Sequence, residues 1–378
     1  MKIAGITWWR NNYGSVLQAY ALQTEINKNN KNIEYEILCQ FGKKANTIKN
    51  LKDKLKKIGL RKTIKRVFWK FGLKRIRDRN VKIQRFINEY LKISEKEYNE
   101  ESIKEANNKY DGFICGSDQI WNPKLVPTDS IYWLTFAEKD KIKIAYAPSV
   151  GVEGFDKKEC EEIRNNLTTF KAISTREQTS TELINKTIGE NKCVTVLDPT
   201  LLVERDVWDN LLTEFKYKEP YIFTYMLRGT KKQRKLIEKF AEQKGLKIIT
   251  MPFLDNEKIS LYDLKFGDIK YWDASPIDFI NLIKNAEYIF TDSFHCMLFS
   301  CMYHKTFFVF PKIGKAQVNR LESFQKMINT TRMINDNNSV KEIEHLKEIN
   351  WNEVDTIIKE KRKESRKYLQ DALKKNEY

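Results

Sequence analysis

Short apolar runs alternate with amphipathic helical stretches along this chain, and that alternation is what most limits its fold. Strand-like runs read at Lys2 to Thr7, Ile33 to Leu38, Phe113 to Cys115, Lys143 to Ala147, Ala172 to Ser174 and Cys193 to Leu197. A second series reads at Tyr221 to Met226, Leu246 to Thr250, Tyr288 to Phe290 and Thr306 to Phe310. Helical periodicity falls between them at Val16 to Lys28, Val81 to Leu91, Lys231 to Lys244 and Pro276 to Asn285, and a long charged helix runs from about Trp351 to Lys375. Strands separated by helices pair in parallel, and the crossovers cover both sheet faces. The expectation is an α/β chain of two Rossmann-like domains facing a cleft. The first spans residues 1–210 and carries a basic helical insert at 43–92, the second spans 218–335, and a helical segment at 340–378 closes the chain.

In such sheets ligands bind beyond the carboxyl ends of the strands. The turns at Gly14, Ser117, Ser149, Arg176 and His295 all follow strand-like runs, so the fold can bring them together. His295 stands out among only three histidines. It follows the run Tyr288 to Phe290, with Asp292 or Ser293 capping a helix whose apolar face is Phe294, Met297, Leu298 and Cys301. An imidazole in a first helical turn sits beside backbone N–H groups and a dipole that favour anions, which suits an acid/base station. The same position also suits an ordinary surface or supporting histidine. Ser293 beside His295 is no hydrolase dyad, because the Gly-x-Ser-x-Gly elbow is absent.

The formal charge of +17 is concentrated in one segment. Gly42 to Phe86 holds 18 Lys or Arg against Asp53 and Asp78, 18 − 2 = +16, which leaves the rest of the chain near +1. Leu51, Leu55, Ile58, Ile64, Phe68 and Phe71 recur there at helical spacing around Trp69. Three readings stay open: a cover helix with a solvated basic face, a dock on an anionic membrane, or a nucleic-acid stripe. No helix-turn-helix, RNA-binding or zinc-finger pattern accompanies the third, so nucleic acid is the disfavoured partner. No apolar run reaches the ~18 residues of a membrane span. Met1 to Trp9 reads as a buried strand rather than a leader, and six scattered cysteines without a CxxC pair fit a reduced, cytoplasmic protein. His295, Cys296, Cys301 and His304 point in different directions on a helix, and no Asp-x-Asp pair occurs. No metal or other cofactor is expected.

The corner sequences, in order, are Asn12-Tyr-Gly-Ser-Val-Leu-Gln-Ala-Tyr-Ala-Leu-Gln23, Gly116-Ser-Asp-Gln-Ile-Trp-Asn-Pro123, Tyr146-Ala-Pro-Ser-Val-Gly151, Ser174-Thr-Arg-Glu177, Leu197-Asp-Pro-Thr-Leu-Leu202 and Thr291-Asp-Ser-Phe-His295. Together they resemble the polysaccharide pyruvyl transferase family. The resemblance spans residues 3 to about 320 and leaves out the basic insert and the C-terminal helix. It implies a glycosyltransferase-B-like pair of lobes. It also implies transfer of a pyruvyl group from phosphoenolpyruvate to two hydroxyls of a surface-polysaccharide sugar, leaving a cyclic ketal and phosphate. By the same resemblance His295 is the acid/base, and Arg176 and Lys315 bind the donor. Family members often carry Arg two residues before the histidine, where this chain has Ser293.

The residue types suit that chemistry. A donor with a phosphate and a carboxylate calls for cations and oriented N–H groups, which Arg176, Lys315 and the Asp292–Ser293 corner can supply. Asn12, Gly14, Asp118, Gln119, Trp121, Asn122 and Ser149 are the cleft candidates for a glycan acceptor, with Trp121 as a stacking face. Simpler roles stand beside these. Arg176 has Glu177 and Asp198 as ready partners, and Asp118 and Asn122 are ordinary turn residues. A nucleotide-sugar glycosyltransferase, and a non-catalytic basic binding module on the same fold, remain the rival functions. The expected location is cytoplasmic, with the segment 43–86 touching the inner face of the plasma membrane.

Overall fold

The computed structural model describes residues 1–10, 12–29, 32–40, 62–253, 262–311 and 315–374, with backbone alone for 62–73 and 315–319. Residues 43–61 of the basic insert and the side chain of Lys315 lie outside the described residues.

The first lobe is a seven-stranded, wholly parallel sheet ordered β3-β2-β1-β4-β5-β6-β7. Its strands are β1 (Lys2–Ile6), β2 (Glu34–Gln40), β3 (Ile93–Tyr98), β4 (Gly112–Cys115), β5 (Ile142–Ala145), β6 (Ala172–Thr175) and β7 (Cys193–Thr195). The second lobe is a five-stranded parallel sheet ordered β10-β9-β8-β11-β12. It is built from β8 (Tyr221–Tyr225), β9 (Lys247–Thr250), β10 (Ile269–Lys270), β11 (Tyr288–Thr291) and β12 (Thr306–Val309). Both orders run outward, return, and continue on the other side of the first strand, which is the doubly wound Rossmann pattern. The strand order reverses between β1 and β4 in one lobe and between β8 and β11 in the other. Chain leaving those four strands therefore lines the crevices where ligands bind.

Helix α1 (Tyr13–Asn29) links the lobes. It starts inside the stretch expected to be a turn, because Asn12 caps it: Gly14 N donates to Asn12 Oδ1 at 2.9 Å. Tyr13 then reaches the second lobe. Its ring stacks on Phe279 with centroids 5.4 Å apart, and its hydroxyl donates to the Ala274 carbonyl at 2.8 Å. Trp208, in α6 (Arg205–Asp209), meets Phe299 edge-on at 4.9 Å. The result is one apolar core that runs through both lobes, from Val16 and Leu22 to Phe279 and Leu298.

The described part of the basic segment is a single helix, α2 (Lys62–Tyr90), which joins the expected helical insert and the Val81 to Leu91 stretch into one element. Its last turns bury Ile83, Phe86 and Ile87, and Lys82 pairs with Asp273 of the second lobe at 3.0 Å. Strand β3 escaped the sequence reading because Ile-Ser-Glu-Lys-Glu-Tyr carries its charges outward, as sheet-edge strands do.

The crossovers after β5, β6 and β7 supply α3 (Lys157–Leu167), α4 (Gln178–Ile188) and the short α5 (Pro199–Leu202). The second lobe adds α7 (Lys231–Lys244), opened by a Thr230–Gln233 capping box and ended by Gly245 at φ 64°, and α8 (Pro276–Lys284). After β12 the chain forms α10 (Lys315–Met327), so Lys315 opens a helix instead of sitting in a loop. The closing helix α12 (Trp351–Leu373), which follows the short α11 (Val340–Glu344), packs back on the first lobe. There Ser365 Oγ accepts from Leu197 N at 2.9 Å, and Arg366 pairs with Glu25 at 2.7 Å. Among the described residues no helix is long and apolar enough to cross a membrane.

Candidate active site

Helix α9 (Phe294–Met302) follows β11, with Ser293 as its N-cap. His295 is in the first turn, at the second lobe's reversal point, and faces the first lobe's reversal point. Its ring lies against Gly14, where a Cβ would come within 2.1 Å of His295 Nδ1. Gly14 is therefore required by the close approach of two elements rather than by its backbone angles.

His295 belongs to a buried polar cluster drawn from four corners. Its Nε2 lies 3.6 Å from Asp198 Oδ2, an ion-pair distance too long for a hydrogen bond, and it has no hydrogen-bond partner among the described residues. Asp198 leads out of β7 and is 3% exposed. It accepts from Ser117 Oγ at 2.8 Å, from Arg176 Nη1 at 3.0 Å and from Thr200 N at 3.0 Å. Arg176, leaving β6, also pairs through Nε with Glu177 at 2.7 Å and lies over the Phe294 ring at 4.4 Å. Asp118, leaving β4 at φ 79°, accepts from Ser15 Oγ at 2.5 Å. The positive φ turns its carboxylate into the cluster, a conformation aspartate adopts more readily than most residues.

Burial opposes the Asp198 charge, but His295, Arg176 and the Thr200 N–H outweigh it and hold this carboxyl well below the usual range. Asp118 is treated alike: burial raises it, while Arg176, His295 and the Ser15 hydroxyl bring it below its ordinary value. Arg176 loses by desolvation and gains more from Glu177, Asp198 and Asp118, so its pKa is raised. A cavity of about 530 Å³ opens beside the cluster, between α4, β7, α9 and α10. Arg176, Asp198, Phe294 and Arg320 line it, with Leu201 and Phe324 among its apolar walls. His295 does not line this cavity, but three of its neighbours do.

The structure thus brings together Gly14, Asp118, Arg176 and His295 of the expected residues. The others have different surroundings. Trp121 is fully buried, stacked on Trp133 with centroids 4.5 Å apart, and rims no cleft. Its indole N–H donates to the Tyr132 carbonyl, so it is a core residue. Asn122 is buried too, bonding Gln119 Oε1 and Lys124 N, which leaves Gln119 and Asn122 bracing their own turn. Ser149 is buried beneath it, its N–H donating to the Asp118 carbonyl. Asn12 is an exposed helix cap. Asp292 does not face a donor: its carboxylate accepts from Leu227 N at 2.6 Å and Arg228 N at 2.8 Å, tying β11 to the corner after β8. The Ser293 hydroxyl caps α9 by accepting from Cys296 N. Arg176, with two carboxylates on it, is less a free clamp than a tethered one.

The sequence names Asp198 only as a partner for Arg176 and Ser117 only as a turn at a strand end, and it gives no role to Ser15 or Arg320. Asp198, Ser15 and Ser117 sit inside quoted corner motifs and were within reach. Arg320 lies in α10, in a stretch with no motif, and nothing in the sequence marks it. Among the described residues no group of His, Cys, Asp and Glu could hold a metal ion.

A model of the polysaccharide pyruvyl transferase family matches residues 12–311. No curated protein matches the chain significantly in sequence. Solved structures match the fold at low identity. A Listeria monocytogenes protein described as a UDP-N-acetylglucosamine 2-epimerase has TM-score 0.52 and 10% identity, with 95% of this chain and 94% of that one covered. Arabidopsis thaliana UGT89C1 has TM-score 0.51 and 10% identity, with 98% of each chain covered. S. aureus MnaA in complex with UDP has TM-score 0.50 and 12% identity, with 98% of this chain and 90% of that one covered. These neighbours share the two-lobed, glycosyltransferase-B-like arrangement of Rossmann-like domains.

Proposed function

The chain belongs to the polysaccharide pyruvyl transferase family, and from that premise we propose that it moves a pyruvyl group from phosphoenolpyruvate to a sugar of a surface polysaccharide or its lipid-linked precursor. The observation that carries this reading is His295 Nε2, 3.6 Å from Asp198 and without a hydrogen bond among the described residues, with Arg176 on the same carboxylate. Two sugar hydroxyls add to the donor's central carbon and the bond to the phosphate oxygen breaks. One hydroxyl proton ends on the methylene carbon, making a methyl group, and the other leaves with phosphate. An imidazole with a free ring nitrogen can carry either proton. Asp118 and Asp198 both hold negative charge that acts on it, and the tethered Arg176 faces the donor's anionic end.

For the acceptor, Trp8 is a better stacking face than Trp121. It is half-buried just beyond β1 and stands edge-on to Tyr132 at 6.4 Å. The +16 segment 43–86 supports peripheral contact with an anionic membrane carrying the acceptor. Sedimentation with anionic vesicles, with and without residues 43–61, tests that contact; equal binding by both forms removes it.

The main test is phosphate release from phosphoenolpyruvate with a panel of glycan acceptors. Wild type is expected to turn over, and His295→Ala to fall by about 10²–10⁴-fold with its fold intact. Near-normal release from His295→Ala removes the imidazole from the mechanism. UDP is the control ligand: a melting shift with UDP and none with phosphoenolpyruvate replaces this reading by nucleotide-sugar chemistry.

A further inference from the structure

Among the described residues no carboxylate forms an ion pair with the buried guanidinium of Arg320. It is 5% exposed, and its Nε has no hydrogen-bond partner among the described residues. No ion pair or aromatic face receives it there either, in contrast to Arg176, Arg234 and Arg332, each of which has one. Burial and the charge of Arg176 bring its pKa down to about 10, against the weaker opposing pull of Glu177 and Asp118. A cation kept in that setting destabilises a protein unless something anionic arrives to pair with it.

Its setting says what arrives. Arg320 and Arg176 line the same 530 Å³ cavity, and Arg176 Nη2 is likewise buried without a hydrogen-bond partner among the described residues. Two guanidinium groups thus bring unpaired N–H donors to one small space. Lys326 and Lys361 are on the same lining, as are the carboxylates of Asp198 and Glu322. Leu197, Leu201, Phe294, Leu298 and Phe324 give the cavity a substantial apolar wall, with Gln178, Thr179, Thr195 and Ser323 as neutral polar groups beside it. A hydrated surface ion does not need such a wall; a small organic anion with a compact apolar part does.

We infer that Arg320 is an oxyanion-binding residue, taking the phosphate or carboxylate of a small organic acid that enters this cavity and shares it with Arg176. The identity of that acid as the transferase's donor rests on the function proposed above; the anion site itself does not. A guanidinium brought in by α10 would also supply the positive charge that Ser293 does not provide beside His295.

The experiment is thermal-shift and calorimetric titration of the full chain with three probes: inorganic phosphate, pyruvate and phosphoenolpyruvate. Wild type is expected to respond to phosphoenolpyruvate and to at least one of the other two. A phosphate response assigns the site to the phosphoryl end, and a pyruvate response assigns it to the carboxylate. Arg320→Gln is expected to weaken the response by at least about tenfold, the loss of one charge-assisted hydrogen bond or more. Arg320→Lys keeps the charge and is expected to retain part of the response. Without ligand, Arg320→Met is expected to melt no lower than wild type, because it removes an unpaired buried charge. Equal titration of wild type and Arg320→Gln, no wild-type response to any probe, or a clear fall in melting temperature for Arg320→Met overturns the inference. If phosphoenolpyruvate binds through Arg320 but no acceptor releases phosphate, the pyruvyl transfer fails and the anion site stands.

Discussion

Gly14 and His295 meet across the interface of the two lobes, so closely that a Cβ on Gly14 would lie 2.1 Å from the ring nitrogen Nδ1. Helix α1 of the first lobe therefore sets where the second lobe's imidazole can sit. Gly14→Ala is expected to push the ring aside while leaving α1 helical, since alanine is the better helix former. Turnover should fall by about 10²-fold through misplacement alone. Circular dichroism should be unchanged. Normal turnover in this variant rules out the imidazole's position as the controlling feature.

Asp198 holds Arg176 and Ser117 and lies beside His295. Asp198→Asn removes the carboxylate and leaves the buried Arg176 charge under-compensated. Stability is expected to drop by about 3–5 kcal/mol, as when one partner of a buried ion pair is lost. Urea unfolding reads this as a lower midpoint at unchanged slope. A midpoint within error of wild type contradicts the role assigned to the pair.

Asp118 and Asp198 both have carboxyl groups held below their ordinary values in the folded state. Such groups contribute stability that is complete above the unfolded value of about 4 and is lost as pH falls through the lowered folded values. The melting temperature is therefore expected to decline below about pH 4. Asp118→Asn should flatten that decline, because one of the two titrations is gone. An acid limb identical to wild type shows that Asp118 does not contribute.

Trp121 is core and Trp8 is half-buried just beyond the carboxyl end of the central strand β1. Trp121→Ala is expected to cost about 3–5 kcal/mol of stability, as large aromatic truncations in cores do. Trp121→Phe should leave the KM for a glycan acceptor unchanged. Trp8→Ala should raise that KM with little change in kcat, the pattern of lost ground-state binding. The reverse pattern would return the stacking role to Trp121.

The α/β class and nearly every strand of both sheets were readable from apolar runs bounded by turn residues. Helix Lys231–Lys244 was read to the residue, because Thr230 and Gly245 punctuate it. Strand β3 was missed because an edge strand carries few apolar residues. Helix α10 was missed because it opens on Lys-Ala-Gln with no cap signature. Within the site, the corner motifs exposed Gly14, Asp118, Arg176 and His295, and they led to Trp121 as well. A tryptophan beside polar turn residues looks the same in sequence whether it faces a crevice or stacks on Trp133.

The order of short apolar strands, helix caps and corner motifs determined the two Rossmann-like lobes and placed His295 and Arg176 at strand ends, since local spacing and burial suffice for that. Only the tertiary structure decided which charges share one space. Asp198 lies 22 residues after Arg176 and far before His295 in the sequence, yet it meets both, because the chain leaving β6 and β7 of one sheet is packed against the chain leaving β11 of the other. Arg320 arrives from a helix that no motif announces. Contacts between residues distant in sequence arise from how sheets pack and cross over, and pairwise proximity of that kind leaves no periodic mark on the chain.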